Sequence, residues 1–236
     1  MDQITPVILI GGLGTRLQPV VKDRPKGIAE VGGKPFIYYL LKQLDIHNFK
    51  TVLLCTGYMS SAIEESLSLL TSQVKIEYSK ESTPLGTAGA LRNALPKIST
   101  DNLMVMNGDS FCDIDMHELI LKSSISKADC VMTLTKVKNS CRYGSVHIND
   151  QGFVTKFSSR PEESGGNIIN AGIYIFRKSL IESIPPKTHR SLENDFLPKW
   201  SEEGRIASFI HNGRFIDIGT PNSYIESQSF FETQNS

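Results

Sequence analysis

The sequence predicts an α/β protein in which helices cover both faces of a mainly parallel, mixed sheet, giving three layers. In the first half of the chain, short apolar runs of strand length alternate with amphipathic segments. The chain has 236 residues and is 39% hydrophobic, enough to bury a full core within one large α/β domain. We therefore expect a single domain over residues 1–236.

The first half of the chain supplies strands and helices in alternation. Residues 7–10 contain no polar side chain, as expected of a parallel strand that is buried on both faces. Pro35 opens a predicted helix in which Phe36, Leu40 and Leu44 recur on one face. The elements that follow are strands at 51–56, 74–78 and 103–106 and helices at 62–70 and 86–95.

The second half changes character, because its strands are predicted from alternation of apolar and polar residues. Residues 130–135 and 145–148 show this period of two, and residues 149–152, Asn-Asp-Gln-Gly, are typical of a turn between strands. Residues 168–176 predict a further strand that contains a glycine. Helices are expected at 193–203 and 223–231.

Composition and charge exclude several classes of function. Lysine and arginine (25) balance aspartate and glutamate (25), so no bulk field attracts nucleic acid or an anionic membrane. No apolar run approaches membrane-spanning length, and the N-terminus lacks the basic region of a secretion signal. The 4 cysteines lack Cys-x-x-Cys spacing, and the 5 histidines are expected to be surface or packing residues. We expect a cytoplasmic protein with reduced thiols and neither a nucleic-acid nor a membrane partner.

The segment after the first strand is typical of a phosphate-binding loop. Gly11, Gly12 and Gly14 let the backbone turn and approach a ligand closely, and Arg16 adds a planar set of donors suited to phosphate. The dinucleotide pattern G-x-G-x-x-G and the Walker pattern G-x-x-x-x-G-K-[ST] are both absent. A tight strand-to-helix turn with a surface arginine is the alternative.

Two aspartates follow apolar segments at the ends of predicted strands. Asp109 ends an Asn-Gly-Asp triplet after the strand 103–106, and Asp217 follows Phe215 and Ile216 before a glycine turn. Ligands of an open α/β sheet bind outside the carboxyl ends of its strands, so both carboxylates are expected in one pocket. Two carboxylates beside a phosphate loop suit Mg²⁺. A plain turn is the alternative for the Asn-Gly-Asp triplet.

Taken together, these motifs resemble the sugar-1-phosphate nucleotidyltransferases. The resemblance is carried by G-G-x-G-T-R-L at 11–17, Arg-Pro-Lys at 24–26, Gly-Lys-Pro at 33–35, the Asn-Gly-Asp triplet and Ile-Asp-Ile-Gly-Thr-Pro at 216–221. It spans nearly the whole chain and implies that family's Rossmann-like nucleotide-binding fold, without the β-helix domain that relatives often append. It also implies that a nucleoside triphosphate and a sugar 1-phosphate give a nucleotide sugar and pyrophosphate, with Mg²⁺ as cofactor.

The resemblance implies roles for the residues of the nucleotide side. Arg16 and Lys26 are the predicted catalytic residues, and Asp109 and Asp217 are the predicted metal ligands. Residues 85–91 lie by the nucleobase in the family, and their Leu-Gly-Thr-Ala-Gly form resembles the guanylyltransferases, which favours GTP. Tight packing of a helix on the sheet would also explain these small residues. The predicted nucleotide-binding residues are Leu9, Gly11, Gly12, Gly14, Thr15, Gly86 and Thr87.

The sugar side matches the family less completely. Where the family usually has Phe-x-Glu-Lys-Pro, residues 157–161 read Phe-Ser-Ser-Arg-Pro, so serine replaces a frequent acceptor for sugar hydroxyls. Glu162 or Glu163 could substitute for that glutamate, or both could be solvated. Tyr143 could equally be an aromatic residue of the sheet, and Asn170 a polar residue at a strand end. The predicted sugar-binding residues are Tyr143, Gly144, Arg160, Asn170 and Gly172.

The resemblance predicts GTP and D-glycero-α-D-manno-heptose 1-phosphate as substrates. Mannose 1-phosphate with GTP, and N-acetylmuramate 1-phosphate with UTP, are the alternatives. A nucleotide-sensing subunit without turnover should lack Arg16, Lys26 or a metal aspartate, and all four residues are present. A dehydrogenase is disfavoured by the failed dinucleotide pattern. The sequence leaves a monomer and a homodimer both open.

Overall fold

A computed structural model describes residues 3–12, 14, 17, 19–21, 24–137, 143–159 and 167–232. Within them the strands are β1 (Ile4–Leu9), β2 (Glu30–Val31), β3 (Lys34–Pro35), β4 (Thr51–Thr56), β5 (Lys75–Lys80), β6 (Asn102–Asn107), β7 (Ser110–Cys112), β8 (Cys130–Lys136), β9 (Val146–Ile148), β10 (Val154–Phe157), β11 (Ile168–Arg177), β12 (Ile206–His211) and β13 (Phe215–Asp217). The helices are α1 (Phe36–Ile46), α2 (Ser60–Ser68), α3 (Gly86–Ala94), α4 (Met116–Ile125), α5 (Lys178–Glu182), α6 (Leu197–Glu202) and α7 (Pro221–Phe230).

The central sheet has seven strands in the order β12-β8-β11-β6-β1-β4-β5. β11 runs antiparallel to both of its neighbours, and the other pairings in the sheet are parallel. β1 lies near the middle, where Ile8 is opposite Leu54 on one side and Met106 on the other. The prediction of a mainly parallel, mixed sheet is confirmed, and the apolar run of β1 reflects its position between two neighbours.

Helices cover both faces of this sheet. Residues of α1, α2 and α4 pack on one face, and residues of α3, α5 and α6 pack on the other. Successive residues of β1 point to opposite sides, since Ile8 belongs to the first core cluster and Val7 to the second. Fully burying one such side chain stabilises the fold by about 1.5–3 kcal/mol. The predicted three layers are confirmed.

The prediction of a strand at residues 130–135 is confirmed by β8. β8 lies inside the sheet between β11 and β12, and six of its seven residues are buried. Its polar positions Thr133 and Thr135 are therefore buried as well, and their hydroxyls have no hydrogen-bond partner among the described residues. The neighbour that covers β8 is β12, whose residues 206–211 were not predicted as a strand.

Two helices near the C-terminal half show how local sequence sets helix limits. The predicted helix 193–203 is a π-helical turn at Leu192–Phe196 followed by α6, because Pro198 lacks the N–H that a continuous helix needs. α4 was not predicted, although Asp115 caps it by accepting from the N–H groups of His117 and Glu118. Boundaries therefore depended on caps and proline more than on apolar spacing.

The predicted turn at 149–152 is confirmed as the tip of an antiparallel hairpin of β9 and β10. Asn149 organises it, since its side chain accepts from the N–H groups of Gln151 and Phe153. Cys55, Cys112 and Cys130 are buried free thiols, and Cys141 lies outside the described residues. None of the described helices has the length and apolarity needed to span a membrane.

Candidate active site

A cleft of about 900 Å³ opens at the carboxyl ends of β1, β4, β5 and β6. This edge of an open α/β sheet is where ligands bind, because the loops that leave the strands form a crevice there. The predicted residues that line it are Leu9, Gly11, Gly12, Gly14, Lys26, Gly86, Thr87 and Asp109. The glycine-rich loop, Lys26 and Asp109 thus share a single cavity.

A two-stranded antiparallel pair brings the predicted metal ligands together. β7 begins directly after Asp109, and β13 ends at Asp217, which lies opposite Ser110 in the register. The Ile218 N–H donates to the Asp109 carbonyl at 2.9 Å. The two aspartates are 108 positions apart in sequence and neighbours in the backbone.

Lys26 forms an ion pair with the first of these carboxylates. Its Nζ donates to Asp109 Oδ2 at 2.7 Å, and the lysine side chain is only 11% exposed. A Cβ on Gly219 would stand 3.5 Å from Lys26 Nζ and 2.6 Å from Asp217 Oδ1. Lys26 and Asp217 therefore approach the same point of the backbone, and only a residue without a Cβ fits there.

The Asp217 carboxylate is held by donors from three places in the chain. Its Oδ1 accepts from the Gly219 N–H at 2.7 Å and from Ser223 Oγ at 3.1 Å, and its Oδ2 accepts from the Tyr143 hydroxyl. Ser223 belongs to the first turn of α7, where it also completes a capping box with Thr220. Tyr143, predicted on the sugar side, contacts a predicted metal ligand.

The chemistry of these two aspartates fits a magnesium ion. Mg²⁺ is typically bound by one or two carboxylates and completes its shell with water and phosphate oxygens. Asp217 Oδ1 accepts two hydrogen bonds and its Oδ2 accepts one, so a metal ion on this carboxylate would compete with these donors for its lone pairs. Over the described part of the chain, no three or more His, Cys, Asp or Glu side chains form a metal-binding group. A metal held by two carboxylates would need phosphate oxygens to complete its shell.

The N-terminus of α3 packs against the loop that precedes Leu192 and is hydrogen-bonded to it. Gly86 has a φ of +70°, and a Cβ there would lie 2.4 Å from the Arg190 carbonyl oxygen, so glycine is needed on both counts. The same carbonyl accepts from the Ala88 N–H at 3.0 Å. Thr87 Oγ1 accepts from the Leu192 N–H at 2.8 Å. The small residues of this helix therefore allow a close approach of backbone to backbone.

Glu81 is a cleft residue that sequence reasoning missed. It follows β5, lines the cleft beside Tyr58, and accepts a hydrogen bond from the Leu85 N–H on Oε2 at 2.9 Å. Its Oε1 accepts no hydrogen bond from the described residues. Burial raises the pKa of Glu81, against the lowering effects of the Leu85 N–H and of His189. The signal available in the sequence was a carboxylate shortly after the predicted strand 74–78. Glu81 was missed because it does not belong to a glycine motif.

Glu193 is a second cleft carboxylate that the sequence placed only within a helix. Its Oε2 accepts from Thr87 Oγ1 at 2.7 Å and from Ser191 Oγ at 2.9 Å. The neighbouring Asn194 lines the cleft as well, and its Oδ1 accepts from Ser159 Oγ at 2.7 Å. Ser159 stands where the family usually has glutamate. Residues from three separate segments thus meet at this end of the cleft.

The predicted sugar-side segment at 170–172 coincides with an irregularity in β11. The register with β8 shifts between Asn170 and Tyr174, and Gly172 within that interval has a φ of +76°. Asn170 Nδ2 donates to the buried hydroxyl oxygen of Tyr174. Burial raises the pKa of Tyr174 well above its ordinary value, and the charges of Glu193 and Asp109 raise it further. Asn170 therefore acts on the Tyr174 hydroxyl through a hydrogen bond, and Glu193 acts on it through its charge.

The other predicted site residues are placed as follows. Gly144 lies against the β10 side of the hairpin, where a Cβ would overlap the Ser158 carbonyl oxygen. His189 lines the cleft, where only a surface or packing role was expected. Predicted residues that lie outside the described part of the chain are Thr15, Arg16 and Arg160, together with the alternatives Glu162 and Glu163.

The chain is similar to known nucleotide-transferring enzymes over almost its full length. It is 36% identical to the D-glycero-alpha-D-manno-heptose 1-phosphate guanylyltransferase of Aneurinibacillus thermoaerophilus, covering 94% of this chain and 96% of that protein. It is 34% identical to the Campylobacter jejuni protein of the same name, covering 92% and 96%. The crystal structure of HddC from Yersinia pseudotuberculosis complexed with GMP-PN superimposes with a TM-score of 0.85 at 36% identity, covering 96% and 99%.

A family model agrees with these similarities. The model described as Nucleotidyl transferase matches residues 5–234, which include the cleft and both predicted metal ligands. The chain belongs to the nucleotidyl transferase family.

Proposed function

We propose that this protein transfers a guanylyl group from GTP to D-glycero-α-D-manno-heptose 1-phosphate, giving GDP-heptose and pyrophosphate in the cytoplasm. The observation that carries the proposal is one cleft lined by the glycine-rich loop, the Lys26–Asp109 ion pair and Glu81, whose Oε1 accepts no hydrogen bond from the part of the chain that the structure describes. Relatives named as heptose 1-phosphate guanylyltransferases support heptose 1-phosphate as the second substrate, and a relative named as a mannose-1-phosphate guanylyltransferase makes mannose 1-phosphate the alternative.

Glu81 supports guanine over uracil and thymine. Guanine presents two adjacent donors, its N1–H and its 2-amino group, whereas uracil and thymine present one N–H between two carbonyl oxygens. A carboxylate accepts hydrogen bonds and donates none, so it matches the guanine edge. Leu85 fixes Oε2 of Glu81 and leaves Oε1 for the base. Its partial burial strengthens this preference, because a bound guanine offsets the cost of a desolvated charge.

The reaction needs positioning and charge stabilisation. An oxygen of the sugar phosphate attacks the α-phosphorus of GTP, and the bond from that phosphorus to the bridging oxygen of the β-phosphate breaks. Pyrophosphate leaves with the bonding electron pair. The attacking phosphate is already an anion, so no general base and no covalent enzyme intermediate is required.

This chain's own groups divide that work. The backbone at Gly11 and Gly12 passes close to the triphosphate, and Lys26, held by Asp109, places a fixed cation beside it. Arg16 remains a predicted contact of the departing pyrophosphate. Asp109 and Asp217 are the residues that would hold Mg²⁺, which supplies positive charge to the phosphates when it is bound.

A matrix of substrates tests this proposal. Each of GTP, ATP, UTP and dTTP is paired with heptose, mannose and N-acetylmuramate 1-phosphates in Mg²⁺ buffer, and pyrophosphate release is followed. We expect the largest kcat/KM for GTP with heptose 1-phosphate. Faster release with UTP or dTTP would contradict guanine selection by Glu81, and no release from any pair would contradict the assignment of an active enzyme.

A further inference from the structure

At position 159, on the proposed sugar side of the cleft, serine stands where the family usually has glutamate. A different carboxylate, that of Glu193, lines the same cleft. Ser159 occupies the position and donates to Asn194 Oδ1 at 2.7 Å. Glu193, adjacent to Asn194 in the chain, lines the same cleft. A carboxylate of the π-helical turn Leu192–Phe196 therefore lines the same cleft as Ser159.

Glu193 is held in place on one side. The hydroxyls of Thr87 and Ser191 both donate to Oε2, at 2.7 Å and 2.9 Å respectively. Its Oε1 accepts no hydrogen bond from the described residues. A carboxylate with one oxygen anchored by two hydroxyls loses little freedom when the other oxygen binds a ligand.

The surroundings of Glu193 favour a sugar over a phosphate as its ligand. Its charge raises the pKa of Tyr174, the residue whose hydroxyl oxygen accepts from Asn170. Asn194, Ser159 and Ser191 add neutral polar groups around it. An anionic carboxylate repels phosphate and accepts hydrogen bonds from hydroxyl groups.

We infer that Glu193 is the specificity-determining acceptor for a hydroxyl group of the sugar 1-phosphate, in place of the glutamate that Ser159 replaces. The inference rests on the proposed function, because it assigns the second substrate of that reaction. Thr87 is then a positioning residue that links the two ends of the cleft, since it sits at the start of α3 and donates to Glu193. Ser191 positions the same oxygen from the other side.

Steady-state kinetics of Glu193→Gln test this role. The glutamine side chain has the shape of glutamate and keeps an oxygen that accepts from Thr87. It replaces the charged carboxylate offered to the sugar hydroxyl with a neutral amide. We expect KM for the sugar 1-phosphate to rise about tenfold or more, because hydrogen bonds to charged groups are the strong ones. KM for GTP, and affinity for GMP-PNP with Mg²⁺ measured by calorimetry, should change less than about threefold. Glu202→Gln is the matched control, since Glu202 is an exposed carboxylate at the end of α6.

Monodeoxy forms of the sugar 1-phosphate separate binding from a structural role. For the wild type, removing the hydroxyl that Glu193 contacts should cost about 10- to 100-fold in kcat/KM, and Glu193→Gln should show a smaller loss for that same analogue. Glu193→Asp, which keeps the charge on a shorter side chain, should raise the sugar KM as well. A purely structural glutamate would change the melting temperature and both KM values while leaving every deoxy penalty the same.

The outcomes distinguish this inference from the proposed function. If the wild type turns over a different nucleotide and sugar pair, the proposed substrates are wrong, and the Glu193 variants are measured with that pair. An unchanged sugar KM, or equal deoxy penalties in wild type and Glu193→Gln, overturns the inference and leaves the enzyme assignment standing. Absence of turnover with every pair overturns both.

Discussion

The two ends of the cleft are built by different means. At the nucleotide end, parallel strands β1, β4, β5 and β6 present backbone and a few strand-end side chains to the ligand. At the sugar end, the hairpin of β9 and β10, the irregularity in β11 and the turn Leu192–Phe196 each contribute one or two side chains. The backbone and the cation of the first end suit the phosphates that every nucleotide shares, with Glu81 as the proposed contact of the base, and the second end is the proposed site of the sugar.

The two ends share one device, a glutamate with a fixed and an open oxygen. Glu81 is fixed by the Leu85 N–H, and Glu193 is fixed by the hydroxyls of Thr87 and Ser191. In both, Oε1 has no hydrogen bond from the described residues. The comparison implies that base and sugar are selected by separate anchored carboxylates, with Asp109 and Lys26 serving the reaction between them.

The largest expected effect comes from the shared centre. Asp109→Asn removes a predicted metal ligand and the ion-pair partner of Lys26, so kcat should fall about a thousandfold or more, at the upper end of what one charge-stabilising group contributes. Pyrophosphate release measures it, with Asp113→Asn as the control, because Asp113 is exposed four positions later. A kcat within tenfold of wild type, from a folded variant, would remove Asp109 from the mechanism.

Lys26→Met should have the next largest effect. The change takes a nearly buried cation away from the phosphates and leaves Asp109 without its partner. We expect kcat to fall about a hundredfold with base and sugar preferences both unchanged. The exposed Lys50 provides a matched control as Lys50→Met. A change in nucleotide preference instead would place Lys26 at the base and not at the phosphates.

Glu81→Gln should break the nucleotide end alone. Replacing the carboxylate with an amide adds an N–H₂ donor that faces the guanine donors, so preference for GTP over UTP should fall about tenfold or more. The sugar KM should stay within about twofold. The measurement is the ratio of kcat/KM for the two nucleotides. An unaltered ratio would show that another group selects the base.

The same variant has a signature in stability. Burial raises the pKa of Glu81, so ionising this group costs the folded state more than the unfolded state. The folded protein therefore loses stability from Glu81 as pH rises through the unfolded pKa of 4.5 and up to the raised folded pKa. Glu81→Gln should accordingly match wild type in melting temperature at low pH and exceed it at pH 7. A variant that is less stable at pH 7 contradicts this electrostatic account.

The smallest effect is expected at Ser159. Its hydroxyl bonds to Asn194 on an exposed rim, and such a hydrogen bond contributes about 0.5–1.5 kcal/mol at most. Ser159→Ala should raise the sugar KM about threefold and leave the GTP KM unchanged. Kinetics with saturating GTP measure this. An effect as large as that of Glu193→Gln would make Ser159, and not Glu193, the principal sugar contact.

The contrast between the two ends also explains what the sequence could predict. The apolar run of β1 and the glycines after it act through backbone, and backbone geometry follows from local sequence. Asp109 and Asp217 were predicted as a pair because both end apolar segments, and the pairing of β7 with β13 places them together. Glu81 and Glu193 carry no local motif, since their contacts are made by residues from other segments.

The fold shows the same limit. The parallel strands β1, β4, β5 and β6 and the helices between them were predicted from apolar spacing. β8 was predicted as a strand because its threonines alternate with apolar residues, but this pattern did not indicate its inner position between β11 and β12, where Thr133 and Thr135 are buried. Short strands such as β7 and β13 owe their existence to pairing with each other, which three residues of sequence cannot indicate.

The double variant Glu81→Gln with Glu193→Gln tests the separation of the two ends most directly. The two glutamates share no hydrogen-bond partner among the described residues. The change in nucleotide preference and the change in sugar KM should therefore each equal that of the single variant, within about a factor of two to three. If either change in the double variant differs from its single-variant value by more than this factor, base and sugar are not selected independently. The same conclusion follows if either single variant alters the preference for the other substrate.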